Sequence, residues 1–226
     1  MGCFGLQPDW HIAVLLMSGM AIVYTLRINM SVAVVDMADD FDWSDNDKGL
    51  VLSSFYVGYA LGQIPSSLMC MTYSKYLRNI YALSILLPSL CTFVTPLLAE
   101  NYGLLISLRV LTGIFESATF PATFQFYQLL DAEPDRRTKM VTFIMSGVYV
   151  GTILGFLFSG LLCHQDIFVG GTNIGRWPSL FYSFGLVGCV FYPFFLATCP
   201  GLAQARSHVR TQSRILSEAS MSNASF

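Results

Sequence analysis

Long apolar runs separated by short polar stretches set the pattern of this chain. Charged residues gather in the gaps, and the runs between them reach about 20 residues or slightly more, enough to cross a ~30 Å hydrocarbon layer at ~1.5 Å per helical residue. The pattern predicts six helices, over 12–35, 49–71, 79–98, 103–130, 140–162 and 177–199. The expected fold class is therefore all-α: a six-transmembrane-helix bundle over 12–199, between an N-terminal segment, 1–11, and a tail, 200–226. Pro88 and Pro96 fall inside the third span, so a kink or an early end is expected there. The first run lacks a basic flank and is long enough to span, so it reads as a membrane helix rather than a cleaved signal.

Composition sharpens this reading. Hydrophobic residues make up 54% of the chain and charged residues 12%, roughly half the charged share of an ordinary soluble domain. The mean hydropathy is +0.57. A net charge of −2 with no basic stripe leaves nothing to neutralise phosphates, which excludes nucleic acid as a partner. Cys3, Cys70, Cys91, Cys163, Cys189 and Cys199 lie in or beside apolar runs without a CxxC pair. They read as small packing residues, not as a disulfide framework or a metal site, and no cofactor motif is present. The sequons at Asn29 and Asn223 fall in the first span and the tail, where glycosylation is not expected.

The loop charges predict an orientation. With a cytoplasmic N-terminus, the inner segments hold Lys75, Arg78, Arg136, Arg137, Lys139, Arg206, Arg210 and Arg214, while the outer loops hold Lys48 and Arg176. Positive residues favour the cytoplasmic side, so both termini are expected there, in a plasma, endolysosomal or vesicular membrane. The loop from Asp36 to Lys48 carries six aspartates and reads as a solvated acidic connection or a cation-attracting mouth. Arg206, Arg210 and Arg214, spaced at four, suit either ordinary loop charges or a short helix with its basic face on anionic headgroups.

Arg27, Arg109 and Glu116 remain inside the spans. Each charge costs at least ~2.5 kcal/mol in hydrocarbon, so each must face a cavity or a partner. At ~1.5 Å per residue Arg27 lies about 12 Å and Arg109 about 9 Å below the outer ends of their helices. They meet at one level if the first and fourth spans are neighbours. Glu116 follows Arg109 by seven residues, on the same helix face and about 10 Å deeper. Two readings stay open: an Arg–Glu pair that pins helices while Arg27 snorkels outward, or an anion site with two forked donors above a titratable carboxyl.

Several segments, taken in order, resemble one known family. They are Tyr24-Thr-Leu-Arg27-Ile-Asn29-Met-Ser31-Val-Ala33, Trp43-Ser44, Ser54-Phe55, Gly58-Tyr59, Gln63-Ile64-Pro65, Arg109 with Gly113 and Glu116, Phe120-Pro121-Ala122, Ser146-Gly147, Gly151, Ser159-Gly160 and Trp177-Pro178-Ser179-Leu180-Phe181-Tyr182. Together they resemble the anion:cation symporters of the major facilitator superfamily, over residues 10 to about 200. The resemblance implies the N-terminal six-helix bundle of that fold, with the first and fourth helices lining a central cavity. It implies Arg27 and Arg109 as contacts to a small anionic substrate and Glu116 as the proton-coupling group. A proton or sodium ion would be the coupling ion and the lipid bilayer the surroundings. The chain departs from the family pattern at Ser66–Lys75, where paired glycines and an acid are missing, and at Leu129-Leu130 and Arg136-Arg137. Ser117 stands where glycine is usual, and Leu52 where vesicular glutamate transporters carry histidine.

Three function classes bear on these residues. Transport by proton- or sodium-coupled symport of small anions, as a short member or half-size chain, is the expectation. A half alone would need a second half-transporter to close its cavity, so concentrative transport by this chain alone is not expected. The alternative is a non-transporting or partner-binding membrane protein derived from that family. An intramembrane enzyme is excluded, because Ser146-Gly147 and Ser159-Gly160 lack the upstream glycine of a serine-protease motif and His164 follows the fifth span in a loop.

Overall fold

The computed structural model describes residues 8–129, 134–163, 168–169, 172–173 and 176–199. The helices are α1 (Pro8–Asp40), α2 (Asp45–Thr72), α3 (Leu77–Leu98), α4 (Tyr102–Glu116), α5 (Thr119–Leu129), α6 (Pro134–Cys163) and α7 (Arg176–Thr198). A 3-10 turn, Ser74–Tyr76, leads into α3. Between α6 and α7, β1 (Phe168–Val169) and β2 (Thr172–Asn173) form a two-residue antiparallel ladder, a detail the apolar pattern did not anticipate. The tail with Arg206, Arg210 and Arg214, and the positions of Cys3, Leu130, His164 and Asn223, lie outside the described residues.

Five stretches are long and apolar enough to cross a membrane: Trp10–Asp40, Ser74–Leu98, Tyr102–Gln128, Arg136–Leu162 and Trp177–Thr198. The α2 helix is 28 residues long but more polar, with Ser53, Ser54, Gln63, Ser66 and Ser67 along its middle. It lies alongside α4 and runs in the same direction, Gly58 against Val110 and Gly62 against Ile114, so it crosses with α4 and completes six spans. The span predicted over 103–130 is not one helix. It breaks at Ser117–Ala118, because Pro121 has no N–H to offer the Ser117 carbonyl one turn earlier. The third span behaves differently: α3 continues unbroken through Pro88 and stops two residues past Pro96.

The turns have local causes. Ser44 caps α2 through a capping box, accepting from the Asp47 amide at 3.3 Å while Asp47 Oδ2 accepts from the Ser44 amide at 3.0 Å. The Ser44 hydroxyl, which also donates to Asp47 at 2.6 Å, holds that carboxyl below the usual carboxylate range. Asn101 caps α4 by accepting from the Leu104 amide at 3.2 Å. Asp42 takes φ 52° in the bend between α1 and α2, a conformation that Asp tolerates better than most side chains.

In lipid, apolar burial does not distinguish a neighbouring helix from an acyl chain, so helices associate where small residues admit close backbone contact. Gly147, Gly151 and Gly155 of α6 sit one turn apart and face Met17, Ala21 and Thr25 of α1. Thr25 strengthens that seam by donating to the Gly151 carbonyl at 3.0 Å. Gly58 of α2 meets the Val110 carbonyl, and Gly113 of α4 meets the Phe55 carbonyl. The apolar core gathers at the two ends of the bundle. One cluster holds Leu16, Met20, Leu77, Tyr81, Phe126, Ile144 and Phe195 on the side where α1 starts and α7 stops, and the other holds Met37, Val51, Leu105, Trp177 and Phe181. The polar site lies between them.

Gly151→Leu is expected to destabilise the bundle by at least ~1–3 kcal/mol, because the new side chain would overlap the Ala21 carbonyl. Gly160→Leu, on the same helix but facing open space, should leave the thermal midpoint nearly unchanged. Thermal unfolding of both variants in detergent checks the contrast.

Candidate functional site

Arg27 sits on α1, Arg109 on α4, and Glu116 at the last residue of α4, directly before the break. Arg27, Arg109 and Glu116, with Leu26, Met30, Ser31, Val51, Leu52, Phe55, Tyr56 and Thr112, line one cavity of about 150 Å³. The level predicted from helix depth therefore brings both arginines to a single chamber, with the carboxyl on the same α4 face as Arg109.

The pairing within the chamber differs from one of the two sequence readings. Glu116 bonds to Arg27, not to the arginine of its own helix. Arg27 Nε donates to Glu116 Oε1 at 2.9 Å, and Arg27 Nη2 donates to the same oxygen. Arg27 does not snorkel outward; its side chain is 18% exposed and that of Glu116 1%. A buried pair of this kind is costly to dismantle, because removing either partner strands an unpaired charge, typically at ~3–5 kcal/mol.

Three aromatic rings hold the Arg27 guanidinium in that position. Its Cζ lies 4.7 Å from the Tyr24 ring centre, 5.0 Å from Phe55 and 5.1 Å from Tyr59. Tyr24 precedes Arg27 by three residues on one helix, and Phe55 and Tyr59 are four apart on another, so each ring reaches the cation by ordinary helical spacing. The sequence carried this signal in those spacings, although neither composition nor charge pointed to it.

Arg109 is 3% exposed and has no carboxylate among its hydrogen bonds. Its Nη2 donates to Thr95 Oγ1 of α3 at 3.1 Å, and its buried Nε has no hydrogen-bond partner among the described residues. The chamber thus holds two cations and one carboxylate, with the carboxylate committed to Arg27. An unneutralised, desolvated guanidinium is a strong donor to any carboxylate or phosphate that enters.

Below Glu116, hydroxyl pairs tie the α4–α5 break to its neighbours. Ser117 donates to Ser66 of α2 at 3.2 Å, and Thr119 donates to Ser84 of α3 at 3.1 Å. Two positions that depart from the family pattern, Ser66 and Ser117, are thus in contact with each other. At the terminal end of α5, Arg137 donates to the Gln128 carbonyl at 2.9 Å and stacks on Tyr127, which caps the helix C-terminus. Ser146 and Ser159, the serines weighed as nucleophiles, donate to the Phe143 carbonyl and to Asn29 Oδ1. Among the described residues, no group of His, Cys, Asp and Glu is arranged to hold a metal ion.

Residues 15–218 match the Major Facilitator Superfamily. The chain is 30% identical over 212 residues to vesicular glutamate transporter 3 of Danio rerio, covering 86% of this chain and 34% of that protein. It is 31% identical to the chloroplastic sodium-dependent phosphate transport protein 1 of Arabidopsis thaliana, covering 83% and 34%, and 28% identical to human sialin, covering 81% and 41%. These identities do not set one branch apart from the others. In shape the chain is similar to a bacterial homologue of the human lysosomal transporter Spinster, inward-facing and occupied, with TM-score 0.78 at 20% identity over 87% of this chain and 46% of that one. The chain spans about a third of the length of the vesicular glutamate and phosphate relatives, both of which are named as transport proteins. This multi-pass membrane protein belongs to the Major Facilitator Superfamily.

Proposed function

We propose that this bundle forms the anion-binding half of a proton-coupled symporter for a small carboxylate or phosphate anion. The observation that carries the reading is the chamber shared by Arg27, Arg109 and Glu116, in which positive charge exceeds negative and one guanidinium lacks a counter-ion. Relatives named for glutamate and phosphate transport fit an anion of that chemistry. Arg27 and Arg109 are the substrate contacts and Glu116 is the proton-coupling group.

The mechanism follows from competition for one fork. Without substrate, Glu116 occupies the side-on edge of Arg27. An entering anion takes the free donors of Arg109 and then displaces Glu116 from Arg27. The released carboxylate stays buried, where its charged form is costly, so it takes up a proton. One anion and one proton add no net charge to the chamber, which makes their joint transfer through the bilayer interior cheaper than transfer of the anion alone. A second six-helix half covers the chamber and supplies alternating access. Both termini face the cytoplasm, on the loop-charge bias, so the chamber opens alternately to the cytoplasm and to the opposite side.

A second reading, a non-transporting membrane protein that keeps the bundle, draws on the altered segments Ser66–Lys75 and Arg136-Arg137. It predicts no anion binding at all.

Binding of labelled glutamate and labelled phosphate to the purified chain in nanodiscs tests the site. Arg109→Ala should weaken binding by about tenfold to a hundredfold, the loss expected for a charged hydrogen bond of ~1.5–3 kcal/mol. Since bound anion and bound proton promote each other, affinity should fall by up to about tenfold per pH unit as pH rises, and Glu116→Gln should flatten that slope. An unchanged affinity in Arg109→Ala would refute the assignment. Orientation is checked separately by membrane-impermeant thiol labelling of Asp42→Cys and Ser220→Cys in a cysteine-free background. The two should react from opposite sides, and labelling from one side would overturn the six-span arrangement.

A further inference from the structure

The Arg109 side chain is buried at 3% exposure, and the one hydrogen bond found for it among the described residues runs to Thr95 on a different helix. Thr95 is itself fully buried and uses its hydroxyl twice. Its proton goes to the Cys91 carbonyl one turn back at 2.9 Å, which turns an oxygen lone pair toward Arg109 Nη2 at 3.1 Å. The hydroxyl therefore cannot swing to another acceptor without abandoning Cys91. It fixes one amino group of the guanidinium and leaves the adjoining Nε, buried and unpartnered, as an unused donor.

Arg27 and Arg109 are held by different means. Arg27 is held by a carboxylate and three rings. Arg109 has a neutral hydroxyl that orients the cation without neutralising it. A carboxylate at position 95 would cancel the charge the chamber keeps for its ligand, and an aliphatic side chain would leave the fork free to turn. A threonine or serine hydroxyl satisfies both requirements.

We infer that Thr95 is a positioning residue of the anion site, holding the Arg109 fork with its Nε edge open for an oxygen of the substrate. The inference rests on the anion-site reading above. Thr95 does not touch the anion; it acts through Arg109, so its effect depends on that arginine being present.

The test uses the purified chain in nanodiscs, with labelled glutamate and labelled phosphate as probes. Thr95→Val keeps the shape and removes the hydroxyl. It should weaken binding on the order of tenfold at unchanged thermal midpoint, and Thr95→Ser should restore affinity to near the unsubstituted level. In an Arg109→Ala background, Thr95→Val should cause no further loss, whereas a structural role independent of Arg109 would still lower affinity there. If Thr95→Val does not yield folded protein, Thr95→Cys, with a weak acceptor of similar volume, should report the same loss. Wild-type binding with unchanged affinity in the folded Thr95 variants would overturn this inference and leave the site reading standing. Absence of binding by the unsubstituted chain would remove both.

Discussion

The ion pair between Arg27 and Glu116 is the contact on which the arrangement of the bundle's interior depends. α1 packs chiefly on α6 and α7, while α4 packs chiefly on α2 and α3, so the pair bridges helices whose main apolar seams lie elsewhere. The α1–α6 and α2–α4 seams are glycine-lined and close, and Arg27 and Glu116 reach across between α1 and α4. In hydrocarbon each charge is costly alone, so removing either partner of the pair leaves an uncompensated buried charge. The break after Glu116 adds to this. Pro121 interrupts the backbone ladder there, and the Ser117–Ser66 and Thr119–Ser84 hydroxyl pairs hold the two segments in place.

Charge asymmetry then gives the chamber its chemistry. One cation is neutralised by an exchangeable carboxylate, and the other is oriented by a hydroxyl but not neutralised. A site built from two fully paired arginines would have little to offer an anion, and a site with two bare ones would be prohibitively costly before the ligand arrived. The observed arrangement stores one positive charge and keeps a second in reserve behind Glu116. In the proposed cycle, release of that reserve is what ties anion binding to protonation.

Much of this was legible in the sequence, and the exceptions have physical reasons. The spans were visible because lipid imposes length and apolarity on every crossing segment. Arg27, Arg109 and Glu116 stood out because charges are rare and expensive there, and helical rise sufficed to bring the two arginines to one level. The partner of Glu116 was not legible: Arg109 shares its helix face, but seven residues of rise put the two about 10 Å apart, and the actual partner comes from another helix. The break at Ser117 was hidden because Pro121 lies inside one continuous apolar run, and a proline there need not interrupt a helix, as Pro88 does not in α3. Thr95 was invisible for a simpler reason. A threonine in a membrane helix usually bonds its own preceding turn, and nothing in the sequence distinguishes one that also receives an arginine.

The central claim is that an anion and Glu116 compete for Arg27. Infrared difference spectroscopy of the chain in nanodiscs, with and without saturating glutamate or phosphate, reads that exchange at the carboxyl itself. Anion addition should bring in a protonated-carboxyl band that is absent in Glu116→Gln. Anion binding that leaves the Glu116 carboxylate signal unchanged would contradict the account.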